Sequence, residues 1–93
     1  MKALSTVRAL SGVRRAWPGR DGSITFELAA PAGKLRAGRV NREGEVWITG
    51  YASDPELPEL TPGVAGRLVV HRFHRRAVVL TDDRAIKFTR QGR

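Results

Sequence analysis

The chain has 93 residues, 41% of them hydrophobic and 28% charged, which leaves room for one folded domain with a modest core. Cysteine is absent, which excludes disulfide bonds and thiolate metal sites. The 17 lysines and arginines outnumber the 9 acidic residues and give a formal net charge of +8, which favours anionic partners.

Residues 3–17 have the spacing of an amphipathic helix. Apolar side chains recur every three or four positions, at Leu4, Val7, Leu10, Val13 and Trp17. Pro18 and Gly19 would end such a helix, because proline lacks the backbone donor and clashes with the preceding turn. The sequence therefore predicts a helix over residues 3–17.

The pattern changes to a period of two from Ser23 onward. Ile24, Phe26 and Leu28 alternate with other residues, which indicates a half-buried strand. Two more strands are predicted at residues 35–40 and 45–51. Short turns separate the three strands, so they should form an antiparallel meander.

The acidic, proline-rich stretch from Ser53 to Gly63 is predicted to be a linker. Ser53 or Asp54 could cap one helical turn there, and Pro58 makes a longer helix unfavourable. This stretch divides the chain into residues 1–62 and residues 63–93. We expect the two parts to form one compact domain.

Three strands are predicted in the second part, at residues 67–71, 76–81 and 84–90, with turns between them. The last strand would be an open sheet edge, protected from pairing by its basic residues. Together the elements predict an α+β fold, with an N-terminal helix followed by two antiparallel units of three strands. The pattern does not indicate an oligomeric state.

Few residues suggest catalysis or metal binding. His71 and His74 form the only histidine pair, and two ligands are too few for a tetrahedral metal site. The chain also lacks the G-x-S-x-G pattern of many hydrolases. Asp82 and Asp83 are best explained by the preference of aspartate for turns. No catalytic or metal-binding residue is therefore predicted.

Aromatic side chains are candidates for stacking on nucleic-acid bases, as in single-strand binders that place them among arginines. The candidates are Trp17, Trp47, Tyr51, Phe73 and Phe88. Trp47 alternates with Val46 and Ile48 along its strand. In a small sheet such a side chain more often packs against a helix, and we favour that interpretation for Trp47.

The positive charge is concentrated at the two ends of the chain. Residues 1–20 carry five basic residues and no acid, and residues 63–93 carry eight basic residues and two acids. A fold that joins the ends would create a positive face for nucleotide phosphate or nucleic acid. However, 14 of the 17 basic residues are arginine, a bias that genome composition also produces. The sequence therefore also allows a protein-interaction module.

The final three strands carry the most specific pattern. Ala85-Ile86-Lys87 follows a strand, a turn, a strand and a tight turn, and Lys87 should lie opposite Ile86 and Phe88. Residues 67–93 resemble the start of the kinase-like lobe in actinobacterial phosphotransferases of the aminoglycoside phosphotransferase and maltokinase type. Residues 33–60 are similar to the β-rich region that precedes that lobe.

The resemblance implies that Lys87, with Arg75 and Arg76 from the covering hairpin, contacts the phosphates of ATP. The turn at residues 71–75 lacks the G-x-G-x-x-G loop of protein kinases. The catalytic base and the magnesium ligands would lie beyond Arg93, in a C-terminal lobe. We therefore expect an incomplete kinase: an N-terminal portion, a shortened relative or a stand-alone domain.

The chain is not expected to enter or cross a membrane. No apolar run approaches the roughly 20 residues that a membrane-spanning helix needs. Arg8, Arg14 and Arg15 interrupt the segment that a signal peptide would require to be apolar. By elimination we expect a cytoplasmic location.

Overall fold

The computed structural model describes residues 2–29, 34–63 and 66–90. Its elements in chain order are α1 (Lys2–Ala9), β1 (Val13–Pro18), β2 (Ile24–Leu28), β3 (Arg36–Val40), β4 (Val46–Ile48), β5 (Arg67–Arg72), β6 (Arg76–Leu80) and β7 (Ala85–Thr89). Strands β1 to β4 form one antiparallel sheet in chain order, and β5 to β7 form a second. The predicted α+β class is confirmed. Among the described residues, no helix is long and apolar enough to cross a membrane.

The predicted helix over residues 3–17 is wrong beyond Ala9. The chain turns at Gly12, whose φ of 82° favours glycine, and the next residues form β1. The error has a simple cause: a spacing of four residues, as between Val13 and Trp17, fits a strand period of two as well as a helical period. The first sheet consequently has four strands instead of the predicted three.

One face of the first sheet is covered by α1. Ala3 and Val7 from the helix pack against Ile24, Phe26 and Val40 from β2 and β3. Opposite the Phe26 ring lies Gly38, where a Cβ atom would overlap that ring and come within 2.8 Å of the Trp47 carbonyl oxygen. Glycine in β3 therefore marks a close approach between a ring and a backbone.

The other face of the first sheet packs against the second sheet, with β5 contacting β2 and β3. The core between them draws residues from many parts of the chain: Leu35, Ala52, Leu57, Leu60, Leu68, Ala77 and Val79. Leu57 and Leu60 belong to the predicted linker, so this stretch also closes the core. It is built from tight turns, with the Leu57 amide donating to the Asp54 carbonyl oxygen and the Leu60 amide to the Leu57 carbonyl oxygen.

Candidate functional site

A cleft of about 860 Å³ lies between the first sheet and the β5–β6 turn. We call it the arginine cleft, because five arginines line it: Arg20, Arg39, Arg72, Arg75 and Arg90. Both tryptophans of the chain, Trp17 and Trp47, line it as well.

One wall of the arginine cleft is a row of four side chains, one from each strand of the first sheet. Trp17 pairs with Thr25, Thr25 with Arg39, and Arg39 with Trp47. Directly opposed residues share a face, and neighbouring strands lie 4.7–4.9 Å apart, so the row spans about 14 Å. This face lies opposite α1. The expectation that Trp47 packs against the helix is therefore wrong.

The two tryptophans differ in how accessible their rings are. The guanidinium carbons of Arg72 and Arg15 lie 5.5 and 6.0 Å from the centre of the Trp17 ring, which is half-buried. Trp47 is 46% exposed, and the Arg39 guanidinium carbon lies 5.9 Å from its ring centre. These distances are within the range of cation–π attraction, so the tryptophans help to position arginines.

Asp21 is the only acid among the described residues that line the cleft. Hydrogen bonds from the hydroxyl and the amide of Ser23, together with the charge of Arg39, outweigh desolvation and lower the pKa of Asp21 to about 2. An Asp21 oxygen lies 3.0 Å from Nη2 of Arg39. One aspartate against five arginines leaves an excess of four positive charges.

Arg72 is held close to two other positive charges. Burial lowers its pKa, and the nearby charges of Arg75 and Arg76 lower it further. Its Nε atom is buried and has no hydrogen-bond partner among the described residues. Like charges held close together are stabilised by an anion.

The β5–β6 turn, which forms the opposite wall, is held in a strained conformation. His74 has a φ of 57°, which is uncommon for a residue other than glycine. The Arg75 amide closes the turn by donating to the Arg72 carbonyl oxygen at 2.9 Å, and the Phe73 and His74 rings stack at 3.8 Å. The His74 amide also donates to Oδ2 of Asp54 at 2.7 Å. Asp54 therefore fixes the turn that presents Arg72 and Arg75.

Buried polar groups connect this turn to the first sheet. His71 is fully buried, and its Nε2 lies 2.9 Å from Oδ2 of Asp54. Because an ionised carboxylate only accepts hydrogen bonds, Nε2 carries the proton. The His71 amide donates to Oε2 of the fully buried Glu27 at 2.7 Å, and Nε of Arg15 lies 2.6 Å from Oε1. These contacts fix β5 against β2.

The same network accounts for the two histidines. The His71 ring is hydrogen-bonded to Asp54. His74 lies in the β5–β6 turn, and its Nε2 is 3.6 Å from Oδ1 of Asp54. Among the described residues, no three His, Asp or Glu side chains are grouped as a metal ion would require. The role of both histidines that the structure shows is to hold the turn through Asp54.

The residues predicted to bind ATP phosphates fall in two places. Lys87 pairs with Val78, and Arg76 pairs with Thr89, so both basic side chains project from the outward face of the second sheet. Both are exposed, and Lys87 also borders a hollow of about 140 Å³ beside Pro58. Arg75 instead lines the arginine cleft. The structure thus brings Lys87 and Arg76 to one surface and places Arg75 on another.

Sequence reasoning did not single out Arg39 or Arg72 as site residues. For Arg39 a signal was present, because counting outward from the turn at residues 41–45 pairs it with Trp47, as observed. For Arg72 there was none, since its place in the cleft depends on how the two sheets pack.

Comparison with protein-family models, with curated proteins and with solved structures finds no match for this chain. The resemblance to aminoglycoside phosphotransferases and maltokinases therefore stays a prediction.

Proposed function

We propose that the chain is a small basic module that binds nucleic acid, with the phosphate backbone held in the arginine cleft. The observation that carries the proposal is the convergence of five arginines and both tryptophans on one concavity that contains a single acid. These are the two components that single-strand binders combine, a positive groove for the backbone and aromatic rings for the bases.

The chemistry of the lining suits phosphate groups. Guanidinium groups present paired N–H donors that match phosphate oxygens, and several in one cleft can follow successive phosphates. Arg20 and Arg75 are exposed and have no ion-pair partner among the described residues, so they are available to a ligand.

The test is fluorescence anisotropy with a labelled single-stranded oligonucleotide at increasing salt concentrations. Binding should weaken steeply with salt and should depend on Arg20 and Arg75. Binding that ignores salt, or that is unchanged when both arginines are replaced, would contradict the proposal.

A second candidate function is nucleotide binding on the outward face of the second sheet. In this alternative we propose that the chain is the nucleotide-side portion of an aminoglycoside phosphotransferase-like kinase and contributes to ATP binding. The favouring observation is that Arg76 and Lys87 share this face with Val78, Leu80 and Ala85. An exposed apolar strip beside two cations suits a flat base with attached phosphates. Among the residues that the structure describes, no three His, Asp or Glu side chains are grouped to hold a metal ion, so turnover by such a kinase would need the C-terminal lobe.

The Lys87→Ala variant tests this second candidate. Losing one charge-assisted hydrogen bond to phosphate should weaken ATP binding by about 10-fold or more, measured by titration calorimetry. Lys34→Ala is the matched control, because Lys34 lies 5.7 Å from the Tyr51 ring and not on the outward face. Equal ATP affinity of both variants would show that Lys87 is an ordinary surface lysine.

A further inference from the structure

We infer that the ligand of the arginine cleft is single-stranded, and that one of its unpaired bases stacks on Trp47. The inference rests on the proposed nucleic-acid function and specifies the form of the nucleic acid. Its basis is the difference between the two tryptophans and their separation along the row from Trp17 to Trp47.

Trp47 is the ring that is available to a base. It lies on the edge strand β4, it is 46% exposed, and it lines the cleft. Trp17 is half-buried, and the guanidinium groups of Arg15 and Arg72 already lie over its ring, which leaves less of the ring accessible to a base. We therefore assign base stacking to Trp47 and assign to Trp17 the positioning of Arg72.

Stacking on Trp47 requires a base with a free ring face. In a duplex the ring faces are covered by neighbouring base pairs, and only the base edges are presented in the grooves. An unpaired base can lay its face on an indole, a contact that any base can make. Trp47 therefore adds nothing to duplex binding, whereas it adds directly to single-strand binding.

The geometry also sets the path of the strand. Trp47 and Trp17 stand at the ends of a row that spans about 14 Å, with Arg39 and Thr25 between them. At a stacked spacing of 3.4 Å per nucleotide, this length corresponds to about four nucleotides. The Arg39 guanidinium carbon lies 5.9 Å from the Trp47 ring centre, and Arg72 and Arg75 line the same cleft. The strand would thus cross the first sheet perpendicular to its strands.

The experiment compares four proteins by anisotropy with a labelled oligothymidylate of about 12 nucleotides and with a duplex of equal length, within known site sizes. The proteins are the wild type, Trp47→Ala, Trp47→Phe and Ile48→Ala. Ile48 is the matched control, because it is a neighbouring exposed side chain on β4 and projects from the opposite face. All four should fold, since Trp47 and Ile48 lie on an exposed edge strand.

We expect Trp47→Ala to weaken single-strand binding by about 10-fold, within the range measured for one stacked base. Trp47→Phe should restore most of the affinity, and Ile48→Ala should leave it unchanged. Duplex binding should be weaker and indifferent to Trp47. Quenching of tryptophan fluorescence by the single strand, reduced in Trp47→Phe, would support the same assignment.

The opposing outcomes separate this inference from the proposed function. Salt-dependent binding that is equal for single strand and duplex, and unchanged in Trp47→Ala, would overturn the stacking inference and leave the proposed function standing. The absence of salt-dependent binding to either nucleic acid would overturn both. Binding to an acidic protein or peptide in place of either oligonucleotide would overturn both as well.

Discussion

Replacing Asp54 with asparagine is expected to lower the free energy of unfolding by about 3 kcal/mol, because hydrogen bonds to a charged group contribute about 1.5–3 kcal/mol each. The buried Asp54 carboxylate receives Nε2 of His71 and the amides of His74 and Glu56. Asparagine keeps one acceptor oxygen and turns an NH₂ group toward these donors. Chemical denaturation of the wild type and the variant measures the difference.

The same site predicts a dependence of stability on pH. Burial by itself raises the pKa of Asp54. The hydrogen bonds from His71, His74 and Glu56, with the charge of His74, outweigh burial and hold the pKa below its ordinary value of 3.8. Asp54 therefore contributes its full stabilisation above about pH 4, and this contribution is lost as the pH falls through the lowered pKa.

Asp82→Asn is the matched control, because Asp82 is exposed on the β6–β7 turn. The wild type and Asp82→Asn should lose stability below about pH 4 more steeply than Asp54→Asn, which has no carboxylate to protonate at this position. Equal stability of Asp54→Asn and wild type at neutral pH would show that the network does not hold the β5–β6 turn.

Affinity for a single-stranded oligonucleotide is expected to fall by about 100-fold between 50 and 200 mM salt. Each phosphate contact on a single strand contributes about −0.7 to the slope of log affinity against log salt, and five contacts give a slope of about −3.5. The number of contacts follows from the five arginines that line the cleft.

Two double variants test which arginines carry this slope. Arg20→Gln with Arg75→Gln removes two exposed cleft arginines, and the magnitude of the slope should decrease by about 1.4. Arg67→Gln with Arg84→Gln removes the same charge from exposed positions away from the cleft and should change the slope much less. Equal losses in both double variants would mean that the charge acts diffusely and that the cleft is not the binding site.

The strands could largely be predicted from the sequence, because alternation and turn residues are local signals. The predicted strands at 35–40, 67–71 and 76–81 overlap β3, β5 and β6 closely. The boundary between α1 and β1 could not be predicted, since the four-residue spacing from Val13 to Trp17 suits a helix and a strand alike.

The site could be predicted only in part. The charges at the two ends of the chain predict a basic surface, and Arg75, which the resemblance implies for ATP phosphates, lines the cleft. The cleft itself depends on packing between the sheets, which no local pattern specifies. Glu27 illustrates this dependence on packing. It occupies a polar position in the alternating strand β2, a pattern that predicts an exposed side chain. It is fully buried because the second sheet covers that face.

The most direct test is an NMR titration of the isotope-labelled protein with a short single-stranded oligonucleotide. The chain has two indole N–H groups, in Trp17 and Trp47, and both residues line the arginine cleft. We predict that both indole signals shift, Trp47 more than Trp17, together with the backbone amides of Arg39 and Arg75. Unchanged indole signals, with shifts at Val78, Ala85 and Lys87 instead, would contradict the account and place the ligand on the outward face of the second sheet.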